Sequence, residues 1–307
     1  MDISVFNCNG SLMTAENMPG WKLSFFGSGG NIRLIIMPVS PIQTAWAVDK
    51  LKGAPHYIIG SGTNTLISDS GVDEPVISTS RLINVSRKKN IIYAGAGVRL
   101  SVLANYAKKA ELSGLEKLSG IPGSLGGALK MNAGAYGRDI GSLINCADIL
   151  IDGRIERIAA SEMGFSYRRS KLLDKGGIAL GAEIELSPDS YDNIVREESR
   201  VKTLRINSQP KERSLGSVFK AHSGIPAAKY IEELKLKGLR AGGAEISKMH
   251  CNFIVNISDA TTADFITLAR LIQDRVYEKF NILLETEIAY IGEPNEDFRR
   301  LSHPYGT

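Results

Sequence analysis

Glycine marks where this chain could do chemistry. From Gly120 to Gly137 it reads Gly-Ile-Pro-Gly-Ser-Leu-Gly-Gly-Ala-Leu-Lys-Met-Asn-Ala-Gly-Ala-Tyr-Gly. Gly120, Gly123, Gly126, Gly127, Gly134 and Gly137 are too dense for a helix or strand, where each costs roughly 0.5–1 kcal/mol relative to Ala. At that density glycines serve backbone that takes positive φ or presses against a neighbour. Successive free N–H groups then form a concavity for an anion such as a pyrophosphate. A second stretch, Gly60-Ser-Gly-Thr-Asn-Thr-Leu-Ile-Ser-Asp-Ser-Gly71, follows the apolar run Tyr57-Ile-Ile59, which reads as a strand. Strand, glycine turn, then hydroxyl and amide side chains is the order of a phosphate cradle. Each stretch alone is also compatible with a surface loop or a decorated turn. The two together point to a dinucleotide-like ligand. Neither a Gly-x-Gly-x-x-Gly fingerprint nor a Gly-Lys-Ser/Thr P-loop is present.

The charge pattern adds a second kind of site. Ten Lys/Arg and three Glu lie between Arg200 and Arg240, more excess than the net +4 of the whole chain. That is either a solvated basic face or a place for a polyanion. The segment lacks a series of interleaved aromatics for base stacking, holding only Phe219 and Tyr230, so a small phosphorylated or carboxylated substrate is expected rather than nucleic acid. Cys8, Cys146 and Cys251 are scattered, and the four histidines show no ligand spacing, so no metal site is expected. The sparse, odd cysteine count suits a reducing cytosol. The opening Met-Asp-Ile-Ser-Val-Phe-Asn has no basic region followed by an apolar run, and no stretch has the ~18 apolar residues of a membrane span, so neither a leader nor a membrane partner is expected.

Many short elements must position these groups. Asn31–Met37 alternates as a strand. Pro41–Leu51 places Ile42, Ala45, Trp46 and Leu51 at helical spacing. Short strands are expected near Tyr57, Pro75, Leu82 and Asn90. Arg99–Ala110 is a helix with Leu100, Leu103, Ala104 and Ala107 on one face. Ile149–Ile158 is a hairpin turning on Asp152-Gly153, and Ile178–Leu186 a strand. A polar helix over Tyr191–Ile206 breaks at Asn207-Ser-Gln-Pro210, the expected domain boundary. A helix around Ala227–Leu236 and a strand at Asn252–Ile257 follow. Thr261 and Asp264 then form a capping box ahead of a stripe of Phe265, Leu268, Ile272 and Val276. Residues beyond Glu293 read as a polar tail. The pattern is α+β, without regular βαβ alternation, and 307 residues suffice for two or three domains.

These motifs in order resemble the UDP-N-acetylenolpyruvoylglucosamine reductase family over roughly Ser24 to Glu293. Phe26–Pro38, with Gly29-Gly30, is similar to the family's opening strand. Gly60–Asn64 and Gly120–Gly137 are similar to its two flavin-pyrophosphate segments. Tyr167-Arg-Arg-Ser170 resembles its Tyr-Arg-x-Ser. Gln209-Pro210, Gly216-Ser-Val-Phe-Lys220, Lys248–Asn256 and Leu284-Glu-Thr-Glu-Ile288 resemble the landmarks of its C-terminal domain.

The resemblance implies an FAD-binding fold of the vanillyl-alcohol-oxidase (PCMH) type. It implies flavin subdomains at 1–80 and 81–200 and a C-terminal α+β substrate domain at 201–307. FAD would be non-covalent, because Gly60–Gly71 holds no His or Cys to tether it. Its contacts would come from Gly60, Ser61, Gly62, Thr63, Asn64, Gly120, Pro122, Gly123, Gly126, Gly127, Asn132 and Gly134. NADPH would reduce the flavin. Hydride would pass from N5 to the enolpyruvyl methylene carbon of a UDP-sugar, and a serine would protonate the neighbouring carbon to give UDP-N-acetylmuramate, in the cytoplasm, on a monomer.

The residues suit that reaction. Hydride addition beside a carboxylate builds negative charge that a guanidinium can pair bidentately. Arg168 or Arg169 could do so, and the motif selects Arg168, with Tyr167 beside it. The motif makes Ser217 the proton donor. Glu285 and Glu287 are two apart on an expected strand, hence on one face; the motif selects Glu287 and leaves Glu285 solvent-facing or paired. Lys220, with Arg205 grouped beside it, would hold the UDP diphosphate. His250 is read as an anchor of its loop. Gly27, Asn31 and Ile32 replace the family's usual Arg and Pro-Ala around the first glycine pair. Ala221 replaces an Asn, so the uridine-nucleotide grip differs there. The short Tyr167–Ser217 interval marks the compact subtype.

Overall fold

The computed structural model describes residues 12–303. Cys8 and the opening heptapeptide lie outside them. The chain forms two compact units: one of 12–15, Ile35–Ser61 and Pro75–Arg205, the other of Glu16–Leu34, Gly62–Glu74 and 206–303. The mixed α+β content follows the expectation.

The first unit is built on a five-stranded antiparallel sheet in the order Arg154–Ala159, Ile144–Ile151, Ile178–Glu185, Ile91–Gly95, Val85–Lys88. Asp152 and Gly153, both at positive φ, turn the first hairpin, as the Asp-Gly pair predicts. The helices Leu100–Lys109 and Leu125–Met131 share its core: Leu100, Leu103, Ala104 and Ala107 pack with Leu125 and Leu129 around Ile92, Ile149 and Ile184. The strands Tyr57–Ile59 and Val76–Ser78 run parallel, and Ile35-Ile36 flanks the latter.

Three expectations change in this unit. The helix Pro41–Lys50 forms, capped by Ser40 on the Gln43 N–H, but it buries Thr44 and Ala47, followed by Leu51, while Ile42 is 76 % exposed. No strand forms at Leu82; the ladder starts at Val85. Gly120–Gly137 is not one loop. Gly126 and Gly127 lie inside the helix Leu125–Met131, and a Cβ on Gly126 would stand 2.9 Å from the Ala96 Cβ, just past the strand Ile91–Gly95. There the glycine lets a helix lie against backbone, at the helical cost of roughly 1 kcal/mol relative to Ala.

The second unit holds the sheet Arg213–Ser217, Phe253–Asn256, Ala244–Ile246, Arg240–Ala241. The helix Thr262–Phe280 packs on it, with the Thr261–Asp264 capping box and the stripe of Phe265, Leu268, Ile272 and Val276 all as expected. Thr65–Ile67 pairs in parallel with Ala289–Ile291. The expected polar tail is instead a helix, Glu296–Ser302, capped by Asn295 and burying Phe298 and Leu301. Phe298 stacks on Tyr290 at 5.0 Å. Only two apolar residues among charges conceal its amphipathicity.

Candidate active site

In the first unit Gly60, which opens one glycine stretch, lies against the other. A Cβ on Gly60 would stand 2.7 Å from Ser124 Oγ and 3.8 Å from the Gly127 nitrogen. Ser124 is 1 % exposed and precedes the helix Leu125–Met131, yet its hydroxyl does not cap that helix. The Leu125 and Gly126 N–H groups donate to Val98 and Ala96. The Ser124 hydroxyl has no partner. Pro122 is exposed and Gly123 takes φ +146°. The helix ends on Asn132 in the left-handed region, as an Asn can. The Asn132 amide is spent on backbone: it donates to Ser166 O at 3.0 Å and accepts from Gly141 N at 2.9 Å. It thereby ties the glycine stretch to the hairpin Phe165–Ser166/Arg169–Ser170, whose two-residue turn is Tyr167-Arg168.

Arg168 sits at φ +55°, strained for a side chain of its size. Its guanidinium donates to Gly134 O at 3.3 Å and lies over the Tyr167 ring at 5.2 Å. Arg169 pairs with Asp174 at 2.6 Å on the surface. Hence a single turn, wired to the glycine stretch at both Asn132 and Gly134, presents Arg168. Arg205, grouped with Lys220 in the sequence, belongs to this unit. Its side chain runs under Gly120, where a Cβ would stand 3.1 Å from Cδ and Nε, and it hydrogen-bonds Tyr136.

In the second unit the motif residues Ser217, Lys220 and Glu287 lie on two paired segments. Lys220 N donates to Glu285 O, and Glu287 N donates to Val218 O at 3.0 Å. Thr286 bridges Phe219, and its hydroxyl donates to Val218 O. Glu285 and Glu287 therefore flank a buried threonine in extended chain, not in a regular strand. Lys220 Nζ is paired with the Glu285 carboxylate at 2.5 Å, which answers which of the two carboxylates is the salt-bridge partner. Asn64 donates its amide to Glu287 O at 2.7 Å. Gly62 is needed as glycine: at φ +64° a Cβ would strike the Leu23 carbonyl.

The sequence motifs understate Asn252. Buried, it accepts from Phe219 N at 3.0 Å and donates to Phe219 O at 2.9 Å, like a strand neighbour. The helix Glu296–Ser302 backs the other segment, since Leu301 O accepts from Thr286 N. Gly27, at φ +83°, lies against Arg213. His250 accepts from Asn252 N and stacks edge-on against Phe253. Burial, aided by Lys237, pulls its pKa below the usual histidine range, consistent with an anchor. Burial pushes the Cys251 thiol up to about 12, so it is no nucleophile.

A dinucleotide diphosphate suits what the first unit offers: a buried, unpartnered hydroxyl at Ser124, backbone free of Cβ at Gly60, and an arginine with no carboxylate partner beneath Gly120. No group of three or more candidate metal ligands occurs among the described residues.

Comparison with known proteins places this geometry. The model of the UDP-N-acetylenolpyruvoylglucosamine reductase C-terminal domain matches residues 209–291, and that of an FAD binding domain matches 35–155. A UDP-N-acetylenolpyruvoylglucosamine reductase of Alkaliphilus oremlandii is 38 % identical over 87 % of this chain and 90 % of its own length. The chain belongs to the UDP-N-acetylenolpyruvoylglucosamine reductase family. A reductase of that name from Clostridium tetani is 39 % identical over 87 % of this chain and 89 % of its own. The crystal structure of the Thermus caldophilus reductase superposes with a TM-score of 0.78 at 32 % identity, covering 91 % of this chain and 98 % of that one. An FAD binding domain and the reductase family's C-terminal domain thus account for residues 35–155 and 209–291.

Proposed function

We propose that this chain reduces UDP-N-acetylglucosamine enolpyruvate to UDP-N-acetylmuramate in peptidoglycan precursor synthesis, as an FAD-containing oxidoreductase that uses NADPH. One observation carries the reading: relatives so named match it at 37–39 % identity over most of both chains. FAD, when bound, would supply hydride-transfer chemistry between NADPH and the enolpyruvyl methylene carbon.

The chain's own residues do the rest. The Arg168 guanidinium pairs with the substrate carboxylate, where charge accumulates as hydride adds, and a bidentate fork suits that carboxylate better than an ammonium would. Tyr167 stacks under it and shares the substrate. The Ser217 hydroxyl protonates the carbon beside the carboxylate, and Glu287 acts near that carbon. Lys220 leaves Glu285 to hold the UDP diphosphate. The backbone at Gly60–Asn64 and Gly120–Gly134 receives FAD, with Asn132 shaping that stretch. We assign flavin binding to 1–80 and 81–200 and substrate binding to 201–307. We read the working unit as a cytoplasmic monomer; among the described residues no helix is long and apolar enough to cross a membrane.

The first test is the chromophore. Purified protein should be yellow, and denaturation followed by filtration should release all of it as FAD. Flavin that stays with the chain, or protein that neither carries nor takes up FAD, contradicts the reading.

A further inference from the structure

Among the described residues, two buried side-chain nitrogen or oxygen atoms lack a hydrogen-bond partner: Ser124 Oγ and Arg205 Nε. Both bear on the Gly120–Gly137 stretch. Ser124 lies inside it, between Gly60 and Gly127. Arg205, from the last turn of the helix Tyr191–Ser208, runs beneath Gly120 and hydrogen-bonds Tyr136, so it touches both ends of Gly120–Gly137.

Unpaired donors in a folded interior are costly and uncommon. A cation without an anion is the more costly case. Neither group has a packing reason to be polar. A serine preceding a helix ordinarily accepts from an N–H of the first turn, and Ser124 does not. A partly buried arginine is ordinarily satisfied by a carboxylate, and no carboxylate bears on Arg205, whose guanidinium is held below its usual range by burial. Two donor atoms without acceptors, Ser124 Oγ and Arg205 Nε, placed in and under a glycine stretch, call for an anion with several oxygens.

We infer that Arg205 and Ser124 are the side-chain donors that Gly120–Gly137 presents to the diphosphate of a bound dinucleotide. The inference rests on the flavin reading above. The recognising chemistry is a guanidinium and a hydroxyl meeting phosphate oxygens. FAD is one source of that diphosphate, and NADPH is the other.

The test uses full-length apoprotein stripped of flavin, with Arg205→Met, Arg205→Lys and Ser124→Ala. FAD and riboflavin, which lacks the diphosphate, are titrated by flavin fluorescence, and the melting temperature of each apoprotein is recorded. Arg205→Met should weaken FAD at least tenfold and riboflavin less than twofold. Arg205→Lys should recover part of the loss, and Ser124→Ala should weaken FAD severalfold. The Ser124→Ala apoprotein should melt no lower than wild type, because the variant removes an unpaired buried hydroxyl. If FAD is unaffected while the NADPH and NADH concentrations for half-maximal flavin reduction both rise about tenfold in Arg205→Met, the diphosphate partner is the reductant. The inference is overturned if neither dinucleotide weakens, if riboflavin weakens as much as FAD, or if the Ser124→Ala apoprotein melts below wild type. Wild-type apoprotein that takes up no FAD would instead bring down the flavin reading, and this inference with it.

Discussion

The Gly120–Gly137 stretch and the paired segments Ser217–Lys220 and Glu285–Glu287 solve opposite problems. In the first, the important feature is the missing side chain: backbone lies against backbone at Gly126 and opens beside Ser124 at Gly60. Its conspicuous amide, Asn132, is consumed by carbonyl and N–H partners. In the second, backbone is paired like a strand by Val218, Asn252 and Glu287, and the side chains hang from it. The proposed cradle leaves no room for a methyl group at Gly60 or Gly126, whereas the proposed catalytic segment should lose a side chain without losing its fold.

The contrast can be broken most severely at Ser217. Ser217→Ala should slow flavin reoxidation by the enolpyruvyl substrate by roughly 100- to 10,000-fold, as loss of a positioned acid does. Flavin reduction by NADPH and the melting temperature should be unchanged, since a hydroxyl acting in the transition state adds little ground-state affinity. Stopped-flow absorbance of each half-reaction decides it. Equal slowing of both halves would make Ser217 structural.

Asn252→Ala attacks the framework of that segment rather than its chemistry. It leaves the Phe219 N–H and C=O unpaired in the interior, at about 1–3 kcal/mol for each buried group. Denaturant unfolding should show a loss of about 2–6 kcal/mol, with reoxidation by the enolpyruvyl substrate falling alongside. Unchanged stability would mean that the pairing in Ser217–Lys220 stands without Asn252.

Gly126→Ala is the matching probe of the cradle. The added methyl meets Ala96 Cβ at 2.9 Å and Ala96 O at 3.2 Å. Overpacking of this kind costs about 1–3 kcal/mol, and Ala's better helix propensity returns about 1 kcal/mol of it. Melting temperature and bound flavin should both fall. A variant that gains stability would show that the helix can move off Ala96.

Glu285→Gln should do least to the fold. The Lys220–Glu285 pair is partly exposed, so thermal stability should change by less than about 1 kcal/mol. Freeing Lys220 should lower the substrate concentration needed for half-maximal reoxidation a fewfold, without changing the maximal rate. An increase would assign Glu285 to the substrate instead.

Local chemistry was readable in the sequence. The Leu100–Ala107 stripe, the Asp152-Gly153 turn and the Thr261–Asp264 box each depend on neighbours within a few residues, and each formed as expected. What was hidden depends on distant partners. Gly126 and Gly127 look like loop glycines until Ala96 is seen against them. Phe298 and Leu301 look like a polar tail's stray apolars until Tyr290 and Thr286 are placed. Ala47 displaces Ile42 from the core because the facing surface, not the helix, chooses the stripe. The motifs named Ser217, Arg168 and Glu287 but gave no role to Asn252, which lies within Lys248–Asn256, and no sign of the unpartnered atoms of Ser124 and Arg205. Hydrogen-bond accounting is a property of the folded chain alone.

The most direct test of the central claim needs only the wild-type protein, free of oxygen. NADPH should bleach the flavin, and UDP-N-acetylglucosamine enolpyruvate should restore its absorbance with one equivalent of UDP-N-acetylmuramate formed. Reduced flavin that reoxidises no faster with the enolpyruvyl sugar nucleotide than without it would contradict the account.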